Sequence, residues 1–211
     1  MVALGTGMVG ILAQLARRYF ELAKEIVDIL LGAVALVLSL PILAVCAVLI
    51  KLSSSGAVFY KQVRVGKDGE LFTMYKLRTM HADAENGRAL WASRNDPRVV
   101  AACRWMRRTH VDELPQLINV IKGEMSLVGP RPERPEILTR LGEVYPDIRK
   151  RLSVRPGITG LAQIRNGYDT SVENVREKLR ADLEYISHRN WSTELRILIG
   201  TLRKLYDRSA H

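Results

Sequence analysis

The sequence predicts a mixed α/β, mostly helical fold with a membrane helix near its N-terminal end, a small β-hairpin, and amphipathic interfacial helices toward its C-terminal end. Three observations predict it. A long uncharged run lies near the N-terminus, two strand-like segments flank a glycine turn, and apolar residues recur at helical spacing over the last forty or so positions.

The uncharged run, Ile29 to Ile50, is 22 residues long and bounded by Asp28 and Lys51. As an unbroken helix it spans about 33 Å, the thickness of a bilayer's hydrocarbon core. Its late start, its acidic lead-in and the lack of a small-residue cleavage site argue against a signal peptide. Pro41, near the middle, removes a backbone donor and crowds the preceding turn, and Ser39 can bond a freed backbone group. Flanking charge gives no orientation: Arg17, Arg18 and Lys24 precede the run, and Lys51, Lys61, Arg64 and Lys67 follow it. A re-entrant, monotopic helix broken at Pro41, with both ends on one face, satisfies that symmetry. A kinked span and a buried soluble helix are the alternatives. The preceding segment, Ile11 to Ala23, sets Leu12, Leu15, Ala16 and Phe20 against Arg17, Arg18 and Glu21, so the helix begins along a membrane surface. Residues 1–51 are thus the membrane segment, and residues 52–211 carry the chemistry.

Ala57–Val65 and Leu71–Tyr75 have strand character and are joined through Gly66-Lys67-Asp68-Gly69, a hairpin turn. Residues 81–97 are polar and loop-like. Val99–Thr109 and Glu113–Ile121 follow as helices, whereas SLVGPRPERPEI, residues 126–137, holds three prolines and cannot be one helix. Of the two C-terminal helices, the first aligns Val172, Val175, Leu179, Leu183 and Ile186. The second opens at Ser192 as N-cap and aligns Leu195, Leu198, Leu202 and Leu205. Both faces suit core packing, and a membrane surface is the alternative. Cys46 and Cys103 are too few for a disulfide framework or a metal site and are expected to be structural thiols.

The chain carries 32 Lys+Arg against 22 Asp+Glu, a net charge of +10. Residues 1–50 are neutral, with three bases and three acids, so the whole excess belongs to the rest of the chain. Such an excess points to an anionic partner. A non-catalytic, membrane-tethered module binding anionic lipid or nucleic acid is one possibility. Aromatic residues are only 6% and no nucleic-acid recognition motif is present, which disfavours nucleic acid.

Asp112 and Glu113 form the acidic pair that such a basic surface would surround. The plain explanation is a helix start, where Asp caps and Glu meets the positive end of the dipole. The functional one is phosphoryl transfer, in which carboxylates hold Mg²⁺ or attack phosphorus while cations neutralise phosphate oxygens. Candidate phosphate contacts are Lys76, Arg78, Arg107, Arg131 between two prolines, and Arg155, each of which can equally be a solvated surface base. Gly157–Gly160 can offer backbone N–H groups to an anion. His81 and His110 lack zinc-ligand spacing, and no Walker A, GxSxG or GxGxxG pattern occurs.

The succession FYKQVRVGKDGELFTMYKLRTM (59–80), NDPRV (95–99), RRTHVDELPQLINVIKGEMSLVGPRPERPE (107–136) and RPGITGLAQIRNGYD (155–169) resembles the monotopic phosphoglycosyl transferases, the bacterial sugar transferase family. The likeness runs from about Lys24 to Lys204. It implies an enzyme of the bacterial inner membrane, with its catalytic domain on the cytoplasmic face. This enzyme would move a sugar-1-phosphate from a UDP-sugar to polyprenyl (undecaprenyl) phosphate, release UMP, and begin exopolysaccharide or other glycoconjugate synthesis. By the same resemblance Asp112 would be the nucleophile and a Mg²⁺ contact, and Glu113 would deprotonate the incoming lipid phosphate or otherwise assist the second step. Arg107, Lys76 and Arg131 would contact phosphates, and the helix broken at Pro41 would be the re-entrant membrane helix. Relatives often have Ser directly before that proline, whereas here Leu40 intervenes after Ser39. The short leader implies a minimal catalytic form, and a homodimer stays open.

Overall fold

One helix, α1 (Val2–Ser53), carries the N-terminal quarter of the chain. The computed structural model describes residues 2–81, 84, 96–165 and 172–206. Most of the loop expected over 81–97, residues 166–169 of the AQIRNGYD stretch, and the side chains of Val172 and Leu205 lie outside that set. Helical structure continues through Pro41, so the break expected there is not a gap in the helix. The ring removes one donor, the one that would have reached Val37, and leaves the neighbouring bonds in place. Ser39 Oγ donates to the Leu36 carbonyl at 2.8 Å, one residue away from the acceptor that Pro41 leaves open.

One stripe of α1, at spacings of three and four, faces the rest of the molecule. Lys24, Asp28, Gly32, Ser39, Cys46 and Ile50 are all buried along it. Its N-terminal half is joined by polar bonds. Glu21 pairs with Arg189, Glu25 with Arg155, and Lys24 with Glu194 at 2.8 Å, while Asp28 accepts from Ser126. Phe20 meets Trp191 edge to face at 5.2 Å. At Gly32 an added Cβ would stand 3.1 Å from Val120, so glycine lets the two helices approach. The C-terminal half is apolar: Cys46 and Ile50 pack with Leu77, Val100, Cys103 and Met106. The opposite side of α1, including Leu30, Val34, Val37, Leu38, Val45 and Val48, is exposed throughout.

The hairpin forms as expected, with limits of β1 (Phe59–Val65) and β2 (Leu71–Leu77). They pair antiparallel from Phe59↔Leu77 to Val65↔Leu71, and Asp68 and Gly69 supply the two left-handed residues of the turn. Phe72 and Met74 pack on Val120 and Met125. The helix expected over Val99–Thr109 is a 3₁₀ turn, Ala101–Cys103, followed by α2 (Arg104–Arg108). That over Glu113–Ile121 is a 3₁₀ turn, Val111–Gln116, followed by α3 (Leu117–Ile121). Pro115 lies within the first of these and cannot donate to an α-helical ladder.

The proline-rich segment is not one helix, as expected: it runs from β3 (Ser126–Val128) through irregular backbone into α4 (Pro135–Val144). A 3₁₀ stretch, Pro146–Ser153, leads to β4 (Gly157–Thr159), which pairs parallel with β3. The strands approach so closely that a Cβ on Gly157 would lie 2.0 Å from the Gly129 nitrogen. After α5 (Leu161–Arg165), α6 (Val172–Ser187) buries Val175 and Leu179 with Ile137, Leu138, Leu141 and Ile148. α7 (Trp191–Tyr206) is capped by Asn190, whose Oδ1 accepts from the Thr193 N–H at 2.9 Å, and not by Ser192. It buries Ile197 and Glu194 and leaves Trp191, Leu195, Ile199 and Leu202 exposed. The first C-terminal helix therefore packs into the core, and the second presents an apolar face outward.

Candidate active site

The chain reverses at His110, one of two non-glycine residues with positive φ among the described residues, at 54°. This turn sends Val111–Gln116 back across β2, and it places Asp112 and Glu113 in the first turn of a 3₁₀ segment with no side-chain cap. The pair is therefore not a helix cap. Asn119 of α3 fixes the turn against the strand edge: its Nδ2 donates to the Thr73 carbonyl at 2.7 Å, and its Oδ1 accepts from the Tyr75 N–H at 3.2 Å. The next residue on β2 is Lys76, which the strand's alternation aims at the acidic pair.

Glu113 is the hub. Its Oε1 accepts from Lys76 Nζ at 2.8 Å, and both carboxylate oxygens accept from Arg131, with Oε2 at 3.1 Å from Nη1. This two-pronged contact is the geometry in which guanidinium binds carboxylate most strongly. Burial alone would raise the Glu113 carboxyl, but Arg131 and Lys76 outweigh it and hold the group well below the usual carboxylate range. Lys76, half-buried, is pulled down by desolvation against the pull of Glu113.

Asp112 is the opposite case. It is 8% exposed and its carboxylate makes no hydrogen bond among the described residues. Burial first, and the Glu113 charge second, push its carboxyl up to about 6 against the fields of Lys76, Arg107 and Arg131. Adjacent residues thus hold two unlike carboxylates, one neutralised by two cations and one without an ion-pair partner among the described residues. Counting Arg107, three cations surround two anions, which leaves the local charge net positive.

The other two bases are used elsewhere. Arg78 is turned away, donating to the carbonyls of Ser54 at 3.0 Å and of Ser55, and so closes the end of α1. Arg155 pairs with Glu25 on α1 at 2.7 Å. The Gly157–Gly160 turn is not a cradle at its first residue, because the Gly157 N–H is bonded to the Pro130 carbonyl at 2.9 Å. The two cysteines are buried and free, as expected.

The sequence did not point to the buried polar groups that support the site. Lys24 and Asp28 join Glu194, Tyr185 and Ser126 in a network under α1, with the Tyr185 hydroxyl donating to Glu194 at 2.7 Å. Arg151 pairs with Asp182 at 2.6 Å beneath the Arg131 loop. The signal for Asp182 was present, as an acid at helical spacing within the apolar stripe of α6. Among the described residues no three His, Cys, Asp or Glu side chains group as a metal cage. A hard cation that keeps most of its waters and takes substrate phosphates needs only one free carboxylate, and Asp112 fits that demand.

The chain is similar to known proteins over most of its length. A UDP-glucose:undecaprenyl-phosphate glucose-1-phosphate transferase of Caulobacter vibrioides is 38% identical over 193 residues, covering 90% of this chain and 72% of its own. An exopolysaccharide production protein of Rhizobium leguminosarum is 38% identical over 187 residues, 85% of this chain and 92% of its own. A UDP-N-acetylgalactosamine-undecaprenyl-phosphate N-acetylgalactosaminephosphotransferase of Aeromonas hydrophila is 38% identical over 186 residues, though these make up only 44% of its length. The model of the bacterial sugar transferases matches residues 19–208, from the domain-facing turns of α1, across both carboxylates and their cations, to the end of α7. A match of that extent leaves one assignment: this chain is a transferase, and it belongs to the bacterial sugar transferase family.

Proposed function

We propose that the protein transfers a sugar-1-phosphate from a UDP-sugar to polyprenyl (undecaprenyl) phosphate and releases UMP, through a covalent intermediate on Asp112. The observation that carries it is the unpaired, buried Asp112 carboxylate beside a Glu113 fully committed to Lys76 and Arg131. In the first step an Asp112 oxygen attacks the phosphorus that bears the sugar. The bond to the bridging pyrophosphate oxygen breaks, UMP leaves with that electron pair, and the sugar phosphate stays on Asp112 as an acyl phosphate. In the second step an oxygen of the lipid phosphate attacks the same phosphorus, the bond to Asp112 breaks, and the carboxylate is restored.

Arg131, Lys76 and Arg107 face the charge that accumulates on the transferring phosphoryl oxygens. Glu113, held anionic by its partners, is a poor proton acceptor; its part is to fix Lys76 and Arg131. The second step needs little base catalysis, because a phosphate monoester with a second pKa near 6 is largely dianionic at neutral pH (about 6, as for phosphoserine). Asp112 is the residue that would hold Mg²⁺, which when bound supplies charge neutralisation at the pyrophosphate.

The contacts between α1 and the rest of the molecule support a matching membrane arrangement. α1 is the described helix long and apolar enough to enter a bilayer, yet one stripe of it is tied to the catalytic domain from Phe20 to Ile50. A helix so held enters one leaflet without leaving the domain, and the exposed faces of α1 and α7 contact lipid. A charged nucleotide sugar does not cross a bilayer unaided, which supports a site on the cytoplasmic face of the inner membrane, where such donors are made. The test is transfer from a panel of radiolabelled UDP-sugars to polyprenyl phosphate with Mg²⁺. Label should appear in lipid and, before acceptor is added, on the protein, and both signals should vanish in Asp112→Asn. Undiminished transfer by that variant would sink the nucleophile assignment.

A further inference from the structure

The loop that presents Arg131 has prolines at 130, 132 and 135, and so cannot organise itself through its own N–H groups. It is held instead by its carbonyls, each taken by a donor from elsewhere. Pro130 O accepts from the Gly157 N–H at 2.9 Å, Arg131 O from Arg151 Nη2 at 2.9 Å, Pro132 O from Arg64 Nη1 at 2.9 Å, and Glu133 O from the Val65 N–H at 3.0 Å. The bond to Arg131 itself is the unusual one, because its donor is a side chain held by a buried acid. Arg151 Nη2 also donates to Asp182 Oδ2 at 2.6 Å, with side chains only 4% and 2% exposed. Glu133, bridged to Lys178, lies 3.5 Å from Nη1 of the same guanidinium. Desolvating such a pair costs about as much as its attraction returns, so burying it is a poor way to gain stability alone. What it does provide is a fixed position for one carbonyl, and therefore for the residue that carries it.

We propose that Arg151 and Asp182 are positioning residues for Arg131: the buried pair grips the Arg131 carbonyl from behind and so fixes the guanidinium that meets Glu113 and the transferring phosphate. The inference rests on the proposed phosphoglycosyl transfer. It assigns to α6, which contributes no group to the site, control over the transition-state cation. Displacements of about 1 Å in such a group cost on the order of 100-fold in rate.

A double-mutant cycle tests it in the full-length protein, in detergent or nanodisc, with kcat and KM for the UDP-sugar as readouts. Asp182→Asn alone is expected to lower kcat about tenfold and to change KM less than about threefold. In an Arg131→Ala background the same change is expected to lower kcat less than about twofold, since no guanidinium is left to position. Equal losses in the two backgrounds would mean a merely structural pair and would overturn the inference while leaving the transfer reaction standing. Absence of transfer by the unaltered protein would overturn both. Thermal unfolding is followed in parallel. Should Asp182→Asn fail to fold, Arg151→Met with Asp182→Leu removes both charges at similar volume. That pair of changes is expected to keep the fold and to lose activity only when Arg131 is present.

Discussion

Asp112 shows in one residue how burying a carboxylate opposes the stability of the fold around it. Its carboxyl titrates near 6 in the folded protein, against about 3.9 in an unfolded chain, so the fold prefers the neutral acid. The resulting penalty is absent below about pH 4, grows between the two values, and is complete above about pH 6. With divalent cations chelated, Asp112→Asn is therefore expected to abolish transfer and yet stabilise the protein by about 1–3 kcal/mol at pH 8. That gain should fade toward pH 4 when urea unfolding is followed in detergent. Glu113→Gln tests the neighbouring carboxylate. It removes the anion that raises Asp112 and releases Lys76 and Arg131, so kcat should fall about 100-fold while the acidic limb of the pH–rate profile moves to lower pH. A limb that moved upward would contradict the hub role. At this scale the acidic pair and Arg107 share one short motif, whereas Lys76 and Arg131 lie in other segments and were candidates by their charge. Arg78 and Arg155 were not separable from them. Whether an arginine meets a phosphate, a helix-end carbonyl or a glutamate on α1 depends on contacts between segments far apart in the chain.

Individual elements were legible where periodicity is long. α1, the hairpin and both C-terminal helices appear where the apolar spacing put them, whereas the two central helices became 3₁₀ turns with short α-helical ends. Segments this short carry too few residues for a period to tell the two helix types apart, and Pro115 then decides in favour of the tighter turn. The glycines after Arg155 were read as a possible anion cradle, and close backbone contact gives Gly157 another use. Gly157→Ala would set a Cβ against the Gly129 backbone, and should cost more than about 3 kcal/mol or prevent folding, read as loss of a cooperative transition. α7 gives the complementary case. Leu195 and Leu202 are exposed and Ile197 is buried on the opposite side. Leu195→Glu with Leu202→Glu should leave the unfolding transition in place and weaken sedimentation with liposomes at least tenfold, whereas Ile197→Glu should abolish folding. Retained liposome binding by the first variant would show that this face does not meet lipid.

For the whole molecule, the decisive relation is between α1 and everything after it, and sequence alone could only narrow it. A 22-residue uncharged run with near-symmetric flanking charge permits a hairpin-like entry or a kinked span. The structure adds that residues on both sides of Pro41 lie against one domain: Glu21, Lys24, Glu25 and Asp28 through ion pairs and hydrogen bonds, Cys46 and Ile50 through the apolar core shared with Leu77 and Met106. A helix crossing the bilayer would have to carry either the polar network or that core to the far side. Removing Lys24 from Glu194 and Asp28 alone would strand buried charge at a cost of about 3–5 kcal/mol. The two ends of the run should therefore share a side. Single cysteines at Gln14 and Ala57, both exposed, are introduced after Cys46 and Cys103 are replaced by alanine. In sealed inside-out vesicles each should react with a membrane-impermeant maleimide to the same extent, and neither should react in right-side-out vesicles until detergent is added. Labelling of one position in each vesicle type would establish a span, and the leaflet-bound catalytic domain proposed for this transferase would then have to be abandoned.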